Sequence, residues 1–316
     1  MKRRRSTAAG QHRPVMVDEV LRLLEPRPGQ VAVDCTLGWG GHAAELLRRL
    51  GPDGRLIGID FDGEQLARTR EQLQEFGSAF IAHHGNFAGL PAILAEHGFS
   101  QVDLLLADLG MSSMQVDDPE RGFSYARDGA LDMRMDRSRG RTAAELLASL
   151  STDELARALA ELADEPQAAA IATAIVAACK QAPLSRTGEL ANVIRAVAGA
   201  TDWRLHPRPG KWNLHPAART FQALRMLVNR ELGNLGNLLR VLPDCLRPGG
   251  RAAIISFHSG EDRLVKAAFR DGLRLGIYSE TSSDPLRPTF AERNANPRSR
   301  SAKMRWAQRI GPASGS

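Results

Sequence analysis

The stretch Val31-Ala32-Val33-Asp34-Cys35-Thr36-Leu37-Gly38-Trp39-Gly40-Gly41-His42 decides the fold. VAVDCT (31–36) is a short apolar run that reads as a strand, and LGWGGH (37–42) reads as a glycine-rich turn. The periodic segment AAELLRRL that follows reads as a helix. Glycines at such a turn let the backbone approach a ligand closely, while the helix N-terminus favours negative charge. Working outward, the chain continues with a strand RLIGID (55–60), a helix over about 63–76, and a strand FIAHH (80–84). A helix over about 88–97 and a strand VDLLLADLG (102–110) come next. Upstream, VMVDEVLRLL (15–24) places Val17, Val20, Leu21 and Leu24 on one helical face. Strands alternating with helices at this spacing imply a parallel sheet covered on both faces.

The alternation breaks after 110. A polar, glycine-containing stretch gives way to helical periodicity, with Ser151 and Glu154 at capping-box spacing and helices over 166–180 and 188–198. After the loop TDWRLHPRPGKWNLHP, the α/β pattern resumes with a long helix (217–241), an LRPGGR turn (246–251) and a buried strand AAIISFHS. A helix from Glu261 and a final strand, SAKMRWAQR, follow. The expected architecture is a doubly wound, mostly parallel α/β sheet interrupted by an inserted helical domain. The expected boundaries are a basic tail over 1–14, a sheet domain over 15–112 and 215–310, and the insertion over 113–214.

In open α/β sheets ligands sit at the carboxyl ends of the strands. Asp60 ends the second strand about 20 residues beyond the glycine turn, where a carboxylate can bind both hydroxyls of an adenosine ribose. Taken alone this also fits a nicotinamide cofactor, since Gly38, Gly40 and Ala43 satisfy the G-x-G-x-x-A spacing. Asn86-Phe87 closes the third strand with an aromatic edge suited to adenine, and Asp108-Leu109-Gly110 closes the fourth with a carboxylate. Four strand ends of this kind favour S-adenosylmethionine over a dinucleotide.

The residues HRPVMVDEV (12–20), TLGWGGH (36–42), IGIDFD (57–62), DLGMSSMQVDDPERGFSYARDGALDMRMD (108–136), HPAARTFQALRMLVNREL (215–232), PGGRAAIISFHSGEDRLVK (248–266) and NPRSRSAKMR (296–305) carry a resemblance over nearly the whole chain. It resembles the bacterial 16S rRNA (cytosine-N4) methyltransferase family, which methylates the exocyclic amine of a decoding-centre cytosine. The resemblance implies a Rossmann-like class I methyltransferase with S-adenosylmethionine as cofactor. Its implied partner is the 16S rRNA of the small ribosomal subunit. It places cofactor contacts on Gly40, Gly41, His42, Asp60, Phe87, Asp108 and Gln115, with Gly38 added from the glycine turn and Gln115 from the resemblance alone. The chain departs from the family pattern at Asp164-Glu165-Pro166, at Gly260, in the short segment 284–295 and in the loop 201–214.

A cytosine amine is a poor nucleophile, so a site acting on it should accept hydrogen bonds from the amine and then a proton. Where many amino-methyltransferases have Asp/Asn-Pro-Pro-aromatic, this chain reads Asp108-Leu109-Gly110-Met111-Ser112-Ser113. Asp108 or a neighbouring carbonyl is expected to orient the amine, with Ser112 and Ser113 shaping the pocket. Asp117, Asp118, Asp128 and Asp132 are acidic candidates for the rim, the alternative being ion pairs to Arg121, Arg127 and Arg134. Phe123, Tyr125 and Trp212 are aromatics that could receive an unstacked base. His258 and Ser259 line the site or serve only the fold.

The chain of 316 residues has a net charge of +6, but residues 1–13 and 296–309 each carry five Lys/Arg and no acid. The remainder has 32 bases against 36 acids, so the basicity is concentrated at the termini, as phosphate contact would require. Arg298, Arg300, Lys303 and Arg305, with Arg204, Arg208 and Lys211, are the candidates for RNA contact; Arg219 and Arg225 read as ion-pair partners. Three scattered cysteines give no metal-like spacing, so no metal is expected. Neither a secretory signal nor an apolar run long enough for a bilayer is evident, which points to the cytoplasm with no membrane partner. A homodimer is left open. The competing classes are a nicotinamide oxidoreductase, a methyltransferase of the same fold acting on another RNA or DNA amine, and a non-catalytic RNA-binding factor.

Overall fold

The computed structural model describes residues 14–111, 113–199 and 215–311. In chain order its elements are α1 (Val17–Leu24), β1 (Val31–Asp34), α2 (Gly41–Leu50), β2 (Arg55–Asp60), α3 (Gly63–Gln72), β3 (Phe80–His84), α4 (Leu90–Glu96) and β4 (Val102–Asp108). Six helices follow: α5 (Ser113–Asp117), α6 (Ala143–Ser149), α7 (Thr152–Ala163), α8 (Ala168–Gln181), α9 (Thr187–Ala198) and α10 (Ala218–Asn229). The last elements are α11 (Glu231–Cys245), β5 (Leu246–Ser256), α12 (Ser259–Arg274), β6 (Tyr278–Thr281), α13 (Phe290–Ala295) and β7 (Lys303–Arg309). Two compact units divide at Gly110/Met111 and at Glu231/Leu232.

In the first unit the seven strands lie in the order β3-β2-β1-β4-β5-β7-β6. The first five are parallel, and β7 runs antiparallel to both β5 and β6. This is the doubly wound, mostly parallel sheet that the β/α alternation implies. Burial on both faces explains why the strands are continuous apolar runs. Val33, Ile57, Leu105 and Ile254 point into one core with Leu238 and Phe269, while Ala32, Leu56, Leu104 and Ile255 point into the other with Val20 and Leu46. The strand order reverses between β1 and β4, which places the ligand crevice at the carboxyl ends of those strands.

The structure corrects several boundaries. The long helix expected over 217–241 is two helices, because Arg230 adopts a left-handed conformation (φ 51°) between α10 and α11. The LRPGGR turn lies inside β5: Val102 pairs with Leu246 and Leu104 with Arg251, so the intervening residues form a bulge with Gly249 at φ 80°. The short edge strand β6 and the helices α6 and α13 were not foreseen.

The second unit is helical. Capping boxes at Thr142/Glu145 and Ser151/Glu154 start α6 and α7. Leu147, Leu155, Leu159, Ile171, Ile175, Leu190 and Ile194 form its core together with Phe221, Ala223 and Leu224 of α10. These contacts count α10 with the helical unit, where the sequence boundary at 215 had it with the sheet. The irregular stretch after α5 is held by buried polar groups rather than by a ladder. Asn229 accepts from Met135 N at 2.8 Å and donates to Met133 O at 2.8 Å, and Arg121 donates to Met135 O at 2.9 Å. Asn229→Ala strands the Met133 carbonyl and the Met135 amide together. It should destabilise this unit by roughly 2–4 kcal/mol, read as a lower urea midpoint. An unchanged midpoint would show that water replaces the side chain at no cost.

Candidate functional site

The turn after β1 is fixed by its neighbours. Leu37 N donates to Ile59 O at 2.9 Å, and Gly38, at φ 51°, donates its N–H to Asp60 Oδ2 at 2.8 Å. The Gly38 carbonyl accepts from Gln65 Nε2 at 3.2 Å and from the Thr69 hydroxyl. The other Asp60 oxygen accepts from Asp62 N at 2.8 Å, and Asp62 in turn caps α3 through Glu64 N and Gln65 N. Gly40 has φ 71°, and a Cβ there would lie 2.7 Å from Thr69 Cγ2; one on Gly41 would lie 2.8 Å from Pro14 Cγ. Gly40 is the N-cap of α2 and gives it no side-chain cap, so the first-turn N–H groups keep their capacity for an anionic ligand.

Beside this turn lies a buried polar cluster. Thr36 accepts from Asp108 N at 2.6 Å, and its own N–H donates to Asp34 Oδ1 at 3.1 Å. His42 is 7% exposed, with Nε2 3.6 Å from Asp108 Oδ2. Among the described residues neither ring nitrogen of His42 finds a hydrogen-bond partner, and the same holds for Asp34 Oδ2 and Trp39 Nε1, all four atoms being buried. A buried polar atom left without a hydrogen bond costs roughly 1–3 kcal/mol, and four of them beside one glycine turn fit a site that a polar ligand completes. Burial pushes Asp34 up to about 6, against the pull of His42 and of the Thr36 amide. Burial likewise pushes Asp60 up to about 6 despite its two backbone bonds.

The remaining strand ends complete the edge. Phe87 follows β3, half-buried against the core, while Asn86 accepts from Ala88 N at 2.9 Å and so serves the turn. After β4, Leu109 N donates to Ile255 O at 2.9 Å. A Cβ on Gly110 would lie 2.8 Å from the Phe257 ring. Gly38 is therefore bonded to Asp60 and His42 lies beside Asp108, with Gly40 and Gly41 in the turn between Gly38 and His42 and Phe87 at the next strand end. Gln115 is buried and belongs to the second unit, where Ser113 opens α5; Ser112 lies outside the described residues. Asp34, Thr36, Gln65 and Thr69 went unrecognised in the sequence. Only Asp34 gave a signal, as an acid inside an otherwise apolar strand.

The other candidates divide. Asp117 pairs with Arg127 at 3.3 Å, Asp128 with Arg186 at 2.7 Å and Asp132 with Arg134 at 2.7 Å, while Asp118 caps the turn at Glu120 N. These acids are held in the ion pairs and caps of the second unit, as is Arg225 by Glu231 at 2.8 Å. Phe123 is buried in the helical core, and Tyr125 stacks on His215 at 4.4 Å. His258 caps α12 through Glu261 N. Arg298 and Arg300 are exposed on the turn over 297–301. Arg305, expected to touch phosphate, is instead 4% exposed and bonded to Asp262 at 2.7 Å and to Ser283 O at 3.2 Å. Lys303 reaches the same carboxylate at 3.1 Å. Burial raises the Asp262 pKa, and the bonds from Arg305 and Lys303 outweigh it, holding the carboxyl below its usual range. Arg204, Arg208, Lys211, Trp212 and the basic residues of 1–13 lie outside the described residues.

The raised Asp34 pKa carries a stability consequence. Between the ordinary carboxyl value of 3.8 and about 6, the folded protein holds a proton that the unfolded chain has released, so stability falls as pH rises through that window. Asp34→Asn should therefore raise the stability of ligand-free protein at pH 7.5 by up to about 3 kcal/mol, and by almost nothing near pH 4. Thermal melts of both proteins across that range check it; a gain independent of pH would detach it from the Asp34 charge.

Comparison with known proteins bears on the same residues. A profile described as the MraW methylase family matches residues 9–310. "Ribosomal RNA small subunit methyltransferase H 1" of Lachnoclostridium phytofermentans is 44% identical over 96% of this chain and 82% of its own. "Ribosomal RNA small subunit methyltransferase H" of Citrifermentans bemidjiense is 44% identical over 95% of this chain and 98% of its own. The protein of that name from Pelobacter propionicus is 43% identical over 96% and 100%. With a profile spanning both units and relatives matching from end to end, this chain belongs to the MraW methylase family.

Proposed function

We propose that this methyltransferase carries the methyl group of S-adenosylmethionine to N4 of a cytosine in the 16S rRNA of the small ribosomal subunit. The observation that carries the reading is the buried polar cluster of Asp34 and His42 beside Asp108, with Asp34 Oδ2 and both His42 ring nitrogens lacking a hydrogen bond among the described residues, at the sheet edge of a chain in this family. When bound, S-adenosylmethionine supplies an electrophilic methyl on a sulfonium sulfur. Gly38, Gly40 and Gly41 keep side chains out of the approach, and the uncapped start of α2 with His42 would hold the donor's amino-acid end. Asp60 would offer the ribose hydroxyls the lone pairs that Gly38 N and Asp62 N leave over, and Phe87 would pack against the adenine.

Asp108 is assigned to the acceptor. Its carboxylate accepts a hydrogen bond from the exocyclic amine, which draws the nitrogen lone pair out of ring conjugation. It then takes the proton that the amine loses as the new N–C bond forms and the sulfonium S–C bond breaks, the neutral thioether being the leaving group. His42, 3.6 Å away, steadies the carboxylate in that orientation. Ser112 and Ser113, which follow in sequence, are assigned to the pocket wall, and Gln115 to the donor or the base. Recognition of the RNA is assigned to the helical unit over 111–231, inserted directly after Asp108, and to the exposed pair Arg298 and Arg300.

Incubating the protein with radiolabelled S-adenosylmethionine and undermethylated 30S subunits should place label in N4-methylcytidine of 16S rRNA on nucleoside analysis. Label in another nucleoside would assign the acceptor elsewhere, and donor binding without transfer to any rRNA would remove the RNA reading. Asp108→Asn should lower kcat by at least about 100-fold while subunit binding is retained. Replacing Arg298 and Arg300 together with Ala should weaken subunit binding and reduce the slope of log K against log salt by about two. An unchanged slope would take both residues out of the interface.

A further inference from the structure

Outside the methyl-transfer edge, β3 and the end of α4 bring two imidazoles and a carboxylate together. His83 Nδ1 lies 3.1 Å from His97 Nε2, and Glu96 Oε1 lies 3.9 Å from the same His83 nitrogen. Each of the three residues offers one donor atom, and these atoms all lie within 4.8 Å of one another. We propose that His83, Glu96 and His97 form a binding site for a divalent transition-metal ion, with zinc as its first occupant. This site clips β3 to α4.

The two imidazoles share a hydrogen bond, and their spacing is also one that such an ion accepts in place of the shared proton. Two imidazole nitrogens each about 2.1 Å from one ion stand roughly 3.4 Å apart at a tetrahedral angle and roughly 3.0 Å apart at a right angle. The observed 3.1 Å lies between those limits. The rings stand edge to face, at 90° with centroids 5.2 Å apart. Gly85 leaves room for the His83 ring, since a Cβ there would lie 2.8 Å from His83 Nε2, and Nδ1 is the nitrogen that faces His97. The His83 side chain is 15% exposed and the Glu96 side chain 65%, a semi-rigid imidazole facing a carboxylate free to swing. Two imidazoles and one carboxylate suit zinc, nickel or copper, with water completing the shell; calcium and magnesium prefer all-oxygen sites. Sequence spacing hides the site because His83 comes from a strand and His97 from a helix end 14 residues later.

An ion here closes the segment that carries Asn86 and Phe87, so its effect is on the order of that strand end and not on the methyl-transfer chemistry. The site stands independently of the assignments made to Asp108, His42 and the RNA.

The test uses tag-free, full-length protein stripped with EDTA and dialysed against zinc or cobalt(II). One equivalent should bind with Kd in about the micromolar range, cobalt should give visible d–d absorption, and zinc should raise Tm by a few degrees. His83→Ala and His97→Ala should each weaken binding by at least about tenfold and abolish the Tm rise. Glu96→Ala should have a smaller effect in the same direction. His97 is the half-buried C-cap of α4, so its variant keeps the test valid if His83→Ala folds poorly, with the far-ultraviolet circular dichroism and the metal-free Tm as the folding controls. Failure of the wild type to bind at about 100 μM metal would overturn the proposal. Equal binding by wild type and His97→Ala would overturn it as well, since the ion would then sit elsewhere.

Discussion

The first unit depends on the backbone of Gly38 being gripped at both ends. Its N–H is held by the carboxylate that ends β2, and its carbonyl by Gln65 and Thr69 of α3. One residue, through the two peptide groups that flank its Cα, thereby ties the β1–α2 turn to the second strand-helix pair. The tie demands φ 51° at Gly38 and 71° at Gly40, conformations that L side chains adopt only with strain. The same bonds bring Asp60 to the sheet edge and aim α2 at the crevice. Glycine at these positions is therefore a consequence of hydrogen bonding and close packing as much as of ligand access.

That arrangement is built at the expense of stability. Asp34 and Asp60 are both raised to about 6 by burial, and the cluster at Asp34 and His42 leaves polar atoms unpaired. A chain selected for folding alone would neutralise these groups or pair them. Preorganised polar groups at a sheet edge are instead what a site needs if it is to receive a charged ligand without rearranging. In the second unit, polar groups also hold the irregular stretch after α5: Asp132 pairs with Arg134, and Asn229 bonds the Met133 and Met135 backbone.

Most of the sheet was legible because strands buried on both faces carry unbroken apolar runs, and because glycine and proline punctuate the β/α connections. Elements resting on one residue's conformation were not. Nothing in REL announces that Arg230 turns left-handed and splits a 25-residue helical pattern into α10 and α11. LRPGGR has the composition of a turn and is a bulge, because Leu246 pairs with Val102 before the chain rejoins the ladder at Arg251. Of the site, the strand-end groups Asp60, Phe87 and Asp108 could be read by position. The partners that orient them, Thr36, Gln65 and Thr69, are small polar residues whose role exists only once the strands are adjacent.

The basic C-terminal run shows why charge density alone is a poor guide to contact. Five bases between 296 and 309 look equivalent in sequence, yet three of them maintain β7. Lys303 and Arg305 share Asp262 of α12, 41 and 43 residues away in sequence, and Arg309 donates to Leu246 O at the start of β5. These bonds fasten the antiparallel strand to the helix and strand beside it. An Arg buried to 4% exposure gains nothing from a phosphate that would not follow it into the sheet. Arg298 and Arg300 stand on the short turn just before β7, exposed, on a segment whose position β7 fixes. The run thus divides its charge: its strand half secures the fold, and its turn half faces solvent, where long-range attraction for a polyanion acts.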